Sequence, residues 1–343
     1  MVDFEYTLGL FANMYPADDK SSFGNFIKRD VDSLEKRGVI VKKAVKTSKS
    51  VSAYPKFFMD SFKLAKSKEC DIFQAEYIPH SSFVPAFFKG DTPLIIKYLG
   101  TDGRIYPYKN KINHKIIEYM NRRADHIIAV SEELKQNILK LGGDSEKITV
   151  ISTGVDTQKF RNPGKDTCRN KLGLPSDKMI CLYVGRLHTQ KGIGELLKAA
   201  EKRQDIFFLI CGPGEIPQHT DNCLFTGEIL HEKIIEYICA ADCFILPSYS
   251  EGLPNVLMES LSCKTPVIAT SVGGCPEVVE NYKSGILIAP KDVNAIIEAI
   301  DWMNENSSLW EKMGEYGRTD MINRYEHEKM IDRLVNVHTN LIT

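Results

Sequence analysis

Two carboxylates, Glu251 and Glu259, stand eight residues apart in Ser250-Glu251-Gly252-Leu253-Pro254-Asn255-Val256-Leu257-Met258-Glu259, just after an apolar run that ends at Leu246-Pro247. Were the whole segment helical, they would lie about 12 Å apart along its axis, at 1.5 Å per residue. Two carboxyl groups that share one glycosidic bond must be about 5 to 9.5 Å apart. The spacing therefore suits two separate hydroxyl-bearing parts of one long ligand. A helix starting at Pro254–Leu257 would aim its first N–H groups and the positive end of its dipole at an anion lying between them. The alternative for this segment alone is a surface helix with one Glu at its start and the other on its exposed side.

A second segment, Gly185-Arg186-Leu187-His188-Thr189-Gln190-Lys191-Gly192, follows the apolar run Cys181–Val184. It offers two cations between glycines that permit close backbone approach. Such charge would neutralise a departing diphosphate, above all where no metal does so; solvated loop cations are the competing reading. Weaker candidates are Cys211-Gly212-Pro213-Gly214-Glu215, a tight turn on which a nucleobase edge could rest, and Ser271-Val272-Gly273-Gly274-Cys275-Pro276-Glu277. In the first half, the stretch from Tyr15-Pro16 to Ser22-Phe23-Gly24 opens a helix and forms a backbone anion site.

Other chemistries are disfavoured. No G-x-x-x-x-G-K-[ST] occurs, and no G-x-G-x-x-G follows the first strand, which argues against P-loop nucleotidases and dinucleotide oxidoreductases. Asp30 and Asp32 sit in a helical pattern where i and i+2 diverge, so they read as a solvated face rather than a metal clamp. His80, alone near a strand end, reads as structural. The nine cysteines include no Cys-x-x-Cys pair, the closest being Cys239 and Cys243; they read as reduced thiols, several inside apolar runs, and a zinc site is disfavoured.

The elements that must position these residues repeat one grammar twice. Strands are expected near Tyr6–Phe11, Val39–Val45, Asp71–Ala75, Leu94–Tyr98, Asp125–Val130 and Ile148–Ile151, then near Met179–Val184, Ile206–Cys211, Cys243–Leu246, Pro266–Ala269 and Gly285–Ile288. Helical patterns lie between them, including Gly194–Arg203 and Glu232–Ala240. Alternation of this kind implies parallel, buried sheets. Its recurrence around the polar Thr153–Asp166 stretch implies an α/β protein of two Rossmann-like, doubly wound domains facing a cleft, with ligand-binding loops at the carboxyl ends of the strands. The expected division is 1–155 and 156–322, with 323–343 a terminal helix packing back on the first domain. At 343 residues, 43% hydrophobic and 26% charged, the chain suits two globular domains.

No apolar run approaches the roughly 18 residues of a membrane span, and the start, with Asp3 and Glu5, lacks the basic region of a signal peptide. A cytoplasmic protein is expected. Residues 1–160 carry 25 Lys+Arg against 20 Asp+Glu, and residues 161–343 carry 19 against 25, so the halves differ in sign at +5 and −6. From Lys36 to Lys68 ten basic residues face one acid, Asp60, with Phe57, Phe58, Met59, Phe62 and Leu64 interleaved. A solvated face is the first reading; an anionic membrane surface, on the inner face of the cell membrane, is the other candidate partner. A pI near 6.7 disfavours nucleic acid.

In order along most of the chain, the Gly24 loop, Gly100-Thr101-Asp102, Ala124–Ser131, Gly154-Val155-Asp156 with Phe160, Gly185-Arg186 with Lys191-Gly192, Glu251 with Glu259, and Gly273–Glu277 resemble the retaining glycosyltransferases of the GT-B fold, in the large group called family 4. The stretch Glu251–Glu259 is most similar to enzymes of cell-surface polysaccharide and teichuronic acid type. The resemblance implies transfer of a hexose from a nucleotide-sugar donor, a UDP-sugar first and GDP-mannose second, to a glycan or lipid-linked acceptor, with retention and with neither cofactor nor metal. It implies that Arg186 and Lys191 hold the diphosphate, Glu251 meets the sugar and Glu259 holds the ribose. Donor contacts would come also from Gly24, Gly185, Gly214, Gly252, Leu253, Asn255 and Val256. Two positions depart from the pattern: Leu99 stands where many relatives have His before Gly-x-Asp, and Thr153 where Asn usually precedes Gly-Val-Asp. A UDP-sugar epimerase on the same scaffold and an inactive nucleotide-sugar-binding subunit are the rival readings.

Overall fold

The computed structural model describes residues 5–18 and 23–343; Asp3 and Ser22 lie outside them. The chain forms two compact units, one running to Thr153 and including Glu328–Thr343, the other Gly154–His327. The crossing points are held by backbone bonds within the second unit, where the Val155 N–H donates to the Tyr325 carbonyl and the His327 N–H to the Val155 carbonyl. Residues 323–327 thus belong with the second unit.

The first unit carries a parallel sheet ordered β2-β1-β3-β4-β5-β6, from β1 (Thr7–Ala12), β2 (Ile40–Val45), β3 (Ile72–Glu76), β4 (Leu94–Tyr98), β5 (His126–Ala129) and β6 (Ile148–Val150). The second carries β7 (Ile180–Val184), β8 (Phe207–Cys211), β9 (Cys223–Gly227), β10 (Cys243–Leu246), β11 (Val267–Thr270) and β12 (Gly285–Ile288), ordered β12-β11-β10-β7-β8-β9 and also parallel. Helices used below are α1 (Asn25–Glu35), α2 (Tyr54–Lys66), α3 (Phe83–Phe88), α4 (Ile193–Lys202), α5 (Asn255–Ser262) and α6 (His327–Ile342).

Eleven of the twelve strands fall within a residue or two of the expected runs, because strands of a parallel sheet covered by helices are mostly apolar, with Gln74, Glu76 and Lys97 the buried polar exceptions in β3 and β4. The strand that sequence patterning misses is β9. It lies at the sheet edge, with Leu224 exposed and Phe225 and Thr226 half-buried, and its register against β8 shifts at Ile210/Cys211, so neither alternation nor a continuous apolar run marks it. The stretch after Leu309 is also not one helix. A helix over Trp310–Asp320 passes through a wide turn at Met321–Tyr325 before α6 begins.

The C-terminal helix α6 packs into the first unit. Met330, Ile331 and Leu334 are buried among Tyr6, Leu8, Ile72, Ile95 and Ile128 of the sheet face, each such burial worth about 1.5–3 kcal/mol. A polar chain runs through the same face. The Lys97 ammonium reaches Asp30 at 2.7 Å and Glu76 at 3.4 Å. Gln74 donates to Glu76 at 2.5 Å, which leaves its carbonyl to accept from His338 Nε2 at 2.7 Å; Nδ1 of that ring then accepts from the Tyr6 hydroxyl at 2.7 Å. Asp30 is therefore buried in α1, not on a solvated face. The sequence pattern showed its divergence from Asp32 but not that the buried Lys97 of β4 waits opposite it. Burial alone would lower the Lys97 ammonium, but the Asp30 and Glu76 carboxylates hold it above its ordinary value.

The basic run is partly neutralised from outside its own segment. Arg37 pairs with Glu328 and Asp332 of α6, Lys42 with Glu69 and Lys43 with Glu35, while Lys46 and Phe57 are buried. Exposed are Lys36, Lys49 and Lys68 and, on α2, a stripe of Lys56, Met59, Phe62, Lys63 and Lys66. No helix among the described residues is long and apolar enough to cross a membrane.

Burial, with a smaller part from the Lys97 charge, lowers the His338 imidazole from 6.5 to about 3. Neutral when folded, it takes up a proton on unfolding between about pH 3 and 6.5, so its contribution is complete above that window and lost as pH falls through it. Chemical denaturation between pH 6 and 4 should show stability dropping by about 1.4 kcal/mol per pH unit from this group, and His338→Gln should flatten the slope by one proton. An unchanged slope would mean that the ring is protonated where it lies.

Candidate active site

In the second sheet β7 neighbours β10, yet the chain leaves β7 toward β8 and β9 and leaves β10 toward β11 and β12. The loops above these two strands diverge, and the crevice that opens there is where open α/β sheets bind ligands. Both sequence-derived segments end at this point: Gly185–Gly192 follows β7, and Pro247–Pro254 follows β10.

Backbone approach fixes the rim. Gly192 has φ +70°, and a Cβ there would lie 2.0 Å from the Pro247 carbonyl oxygen; at Gly212, φ +144°, it would lie 1.9 Å from the Gly185 carbonyl oxygen. Only glycine fits either place. Hydrogen bonds close the same gaps: Gly185 N–H to Cys211 O, Leu187 N–H to Pro213 O, Tyr249 N–H to Gln190 O, each at 2.9 Å, and Gly274 N–H to Gly252 O at 2.7 Å. The loops after β7, β8, β10 and β11 form one stitched edge, which includes Gly214 packed against Leu187.

On that edge Lys191 Nζ lies 2.6 Å from Glu251 Oε1; the Glu251 side chain is 9% exposed and that of Lys191 34%. The Tyr183 hydroxyl donates to the Arg186 carbonyl at 2.8 Å, and burial, then the Glu251 charge, pushes that phenol up. Arg186 is exposed, and among the described residues its guanidinium makes no ion pair. The loop thus presents one cation anchored on a carboxylate and one open to an anionic group. Leu253 is buried and Gly252, Asn255 and Val256 are half-buried where α5 begins. Only residues from Asn255 on are helical, so Glu251 stands in the loop and Glu259 in the helix.

Glu259 is not on an exposed side. Its side chain is 7% exposed, and Oε1 lies 3.0 Å from Nε2 of His231. His231 occupies the loop after β9; sequence reasoning missed it because it belongs to no motif and the strand before it was not recognised.

The first-unit candidates sit at an equivalent place in their own sheet, where β1 neighbours β3. Gly24, φ +82°, caps α1, and a Cβ there would lie 2.7 Å from the Met14 carbonyl oxygen. The loops after β1 and β3 are tied by the Asn13 N–H bond to Ser81 Oγ at 2.9 Å. Asp102 accepts from the N–H groups of Leu99, Gly100 and Gly103 at 2.7 to 3.1 Å, and burial raises its carboxyl to about 6 against those bonds. Its role here is to shape the loop. His80 is half-buried, its rings facing Tyr54 and Tyr106, and burial lowers its pKa. Among the described residues no three His, Cys, Asp or Glu side chains are grouped to hold a metal ion.

Comparison with known proteins adds independent findings. The family model described as glycosyl transferases group 1 matches residues 164–320, and that described as glycosyltransferase family 4 matches residues 20–159. The chain is 34% identical over 223 residues to the putative teichuronic acid biosynthesis glycosyltransferase TuaC of Bacillus subtilis, covering 64% of this chain and 56% of that one. It is 30% identical over 205 residues to the D-inositol 3-phosphate glycosyltransferase of Mycolicibacterium smegmatis, covering 55% and 46%. The matched segments thus span about half the length of these relatives. Among solved structures, a sucrose-phosphate synthase of Thermosynechococcus elongatus superposes with TM-score 0.86 at 22% identity over 98% of this chain and 99% of that one, and HepE of Anabaena in complex with UDP-glucose with TM-score 0.80 at 18% over 98% and 99%. These likenesses show the GT-B fold. With one family model on each of its two sheets, the chain belongs to the group 1, family 4-type glycosyltransferases.

Proposed function

We propose that the protein transfers a hexose from a nucleotide sugar to a glycan or lipid-linked acceptor in cell-surface polysaccharide or glycoconjugate synthesis, with retention and without a metal. The observation that carries this reading is the Lys191–Glu251 pair at the switch point of the second sheet. Lys191 and Arg186 neutralise the diphosphate, assisted by backbone amides at Asn255 and Val256. Glu251 receives the sugar hydroxyls and Glu259 those of the ribose. As the bond from the anomeric carbon to the diphosphate oxygen breaks, the acceptor oxygen bonds to that carbon from the same face, and its proton passes to the departing diphosphate. A UDP-sugar is the first donor to test, in keeping with the UDP-glucose bound to HepE; GDP-mannose is the second. The teichuronic acid assignment of the Bacillus relative supports a cell-surface polysaccharide acceptor.

Two side-chain cations can carry the leaving-group charge that a divalent ion would otherwise hold. Transfer or donor hydrolysis, followed by release of nucleoside diphosphate, should therefore be unchanged by EDTA. Loss of activity with chelator, restored by manganese, would overturn this assignment of the phosphate site.

The acceptor reading extends to a surface of the first unit. On α2, Lys63 and Lys66 lie beside exposed Met59 and Phe62, and Phe62 meets Phe88 of α3 edge-to-face at 5.0 Å. Phe83 and Phe87 continue the apolar strip, and Lys66 Nζ lies 5.3 Å from the Phe88 ring centre. Apolar side chains among lysines suit the headgroup boundary of an anionic bilayer. Vesicles containing anionic lipid should bind the protein at low salt, and the double variant Lys63→Glu, Lys66→Glu should bind less. Equal binding to neutral vesicles would return the strip to an ordinary solvated face.

A further inference from the structure

We infer that His231 is a positioning residue for the nucleotide, setting the rotamer of Glu259 so that its carboxylate meets the ribose hydroxyls already oriented; this rests on the ribose reading of Glu259 above. A carboxylate only accepts, so the 3.0 Å contact places the proton on His231 Nε2 and fixes the tautomer. A carboxylate offers about four lone-pair directions, and the one taken by His231 leaves room for two hydroxyl donors.

The imidazole is itself held. It meets the Phe160 ring edge-to-face at 5.7 Å, Phe160 is buried, and the Phe160 carbonyl accepts from Ser262 Oγ at 2.7 Å and from Arg318 at 3.0 Å. Ser262 is the last residue of α5, the helix that carries Glu259. His231, Glu259, Ser262 and Phe160 close a ring of contacts around one end of α5, so the histidine stays in place relative to the carboxylate. Its side chain remains 39% exposed while that of Glu259 is 7% exposed, so the pair is reached from solvent on the histidine side. The ribose does not change during the reaction, so the contribution appears in ground and transition states alike, in KM and Kd rather than kcat.

Two crossed variants test this. His231→Phe keeps the ring contact with Phe160 and removes the donor; His231→Gln keeps an N–H donor and removes the ring. Calorimetry with UDP and 2′,3′-dideoxy-UDP, with the GDP pair run alongside, reads discrimination for the ribose hydroxyls. The wild type should favour the ribose form, and His231→Phe should bind it about tenfold more weakly, the lower end for a hydrogen bond to a charged group. Binding of the dideoxy form should not change, nor should kcat, and His231→Gln should discriminate nearly as the wild type does. If His231→Phe discriminates like the wild type, or if His231→Gln fails while His231→Phe succeeds, the positioning role is wrong although Glu259 keeps its own. If the wild type binds no nucleoside diphosphate or ignores the hydroxyls, or if Glu259→Gln discriminates fully, the ribose reading itself fails.

Discussion

Neighbouring strands whose onward connections run in opposite directions leave a gap above their carboxyl ends, and the second unit puts its charge in that gap. Lys191 and Glu251 are 60 residues apart in sequence and come within 2.6 Å because β7 and β10 pair directly. Nothing local to either segment produces the contact. The glycines at 192 and 212 matter for the same reason, since each lets one loop pass against a carbonyl of the next. A side chain at either place would push the rim apart and take the cations with it. The rim is built from backbone bonds and close approach, so its rigidity does not depend on the charged side chains that it presents.

Each unit also buries charge. In the second, Arg169 and Asp242 meet at 2.5 Å beside the start of β7, apart from the cations at the mouth of the sheet. In the first, Lys97, Asp30, Glu76, Gln74 and His338 are buried and join the sheet to α1 and α6 through one line of hydrogen bonds. A buried ion pair adds little net stability but is costly to break. Its consequence is that α6 is seated in one register, with His338 facing Gln74 and Tyr6 while Met330, Ile331 and Leu334 supply the apolar contact.

Strand positions are legible in the sequence because buried parallel strands are mostly apolar, and the candidate loops stand out because Gly-rich turns with charged residues follow those strands. Gly185–Gly192 and Glu251–Glu259 emerged as candidates in this way before any geometry. What the sequence could not show was pairing across distance. Asp30 read as solvated because its partner Lys97 is 67 residues away. Arg37 reads as uncompensated because its partners Glu328 and Asp332 arrive only when α6 folds back. His231 carried no signal, since its meaning depends on Glu259 being buried beneath it. β9, half exposed and irregular in register against β8, lacks the apolar run by which the others were found.

The central claim is that Lys191 and Glu251 divide the donor between them, one on the diphosphate and one on the reacting sugar. The most direct test is Glu251→Gln, with calorimetry for nucleoside diphosphate and steady-state kinetics on the same protein. Removing a negative charge beside the anion site and releasing Lys191 should leave nucleoside diphosphate binding unchanged or tighter. Loss of a contact that strengthens as the glycosidic bond breaks should lower kcat by about a hundredfold or more. A variant that turns over like the wild type but no longer binds nucleoside diphosphate would contradict the account, because the donor would then lie the other way round.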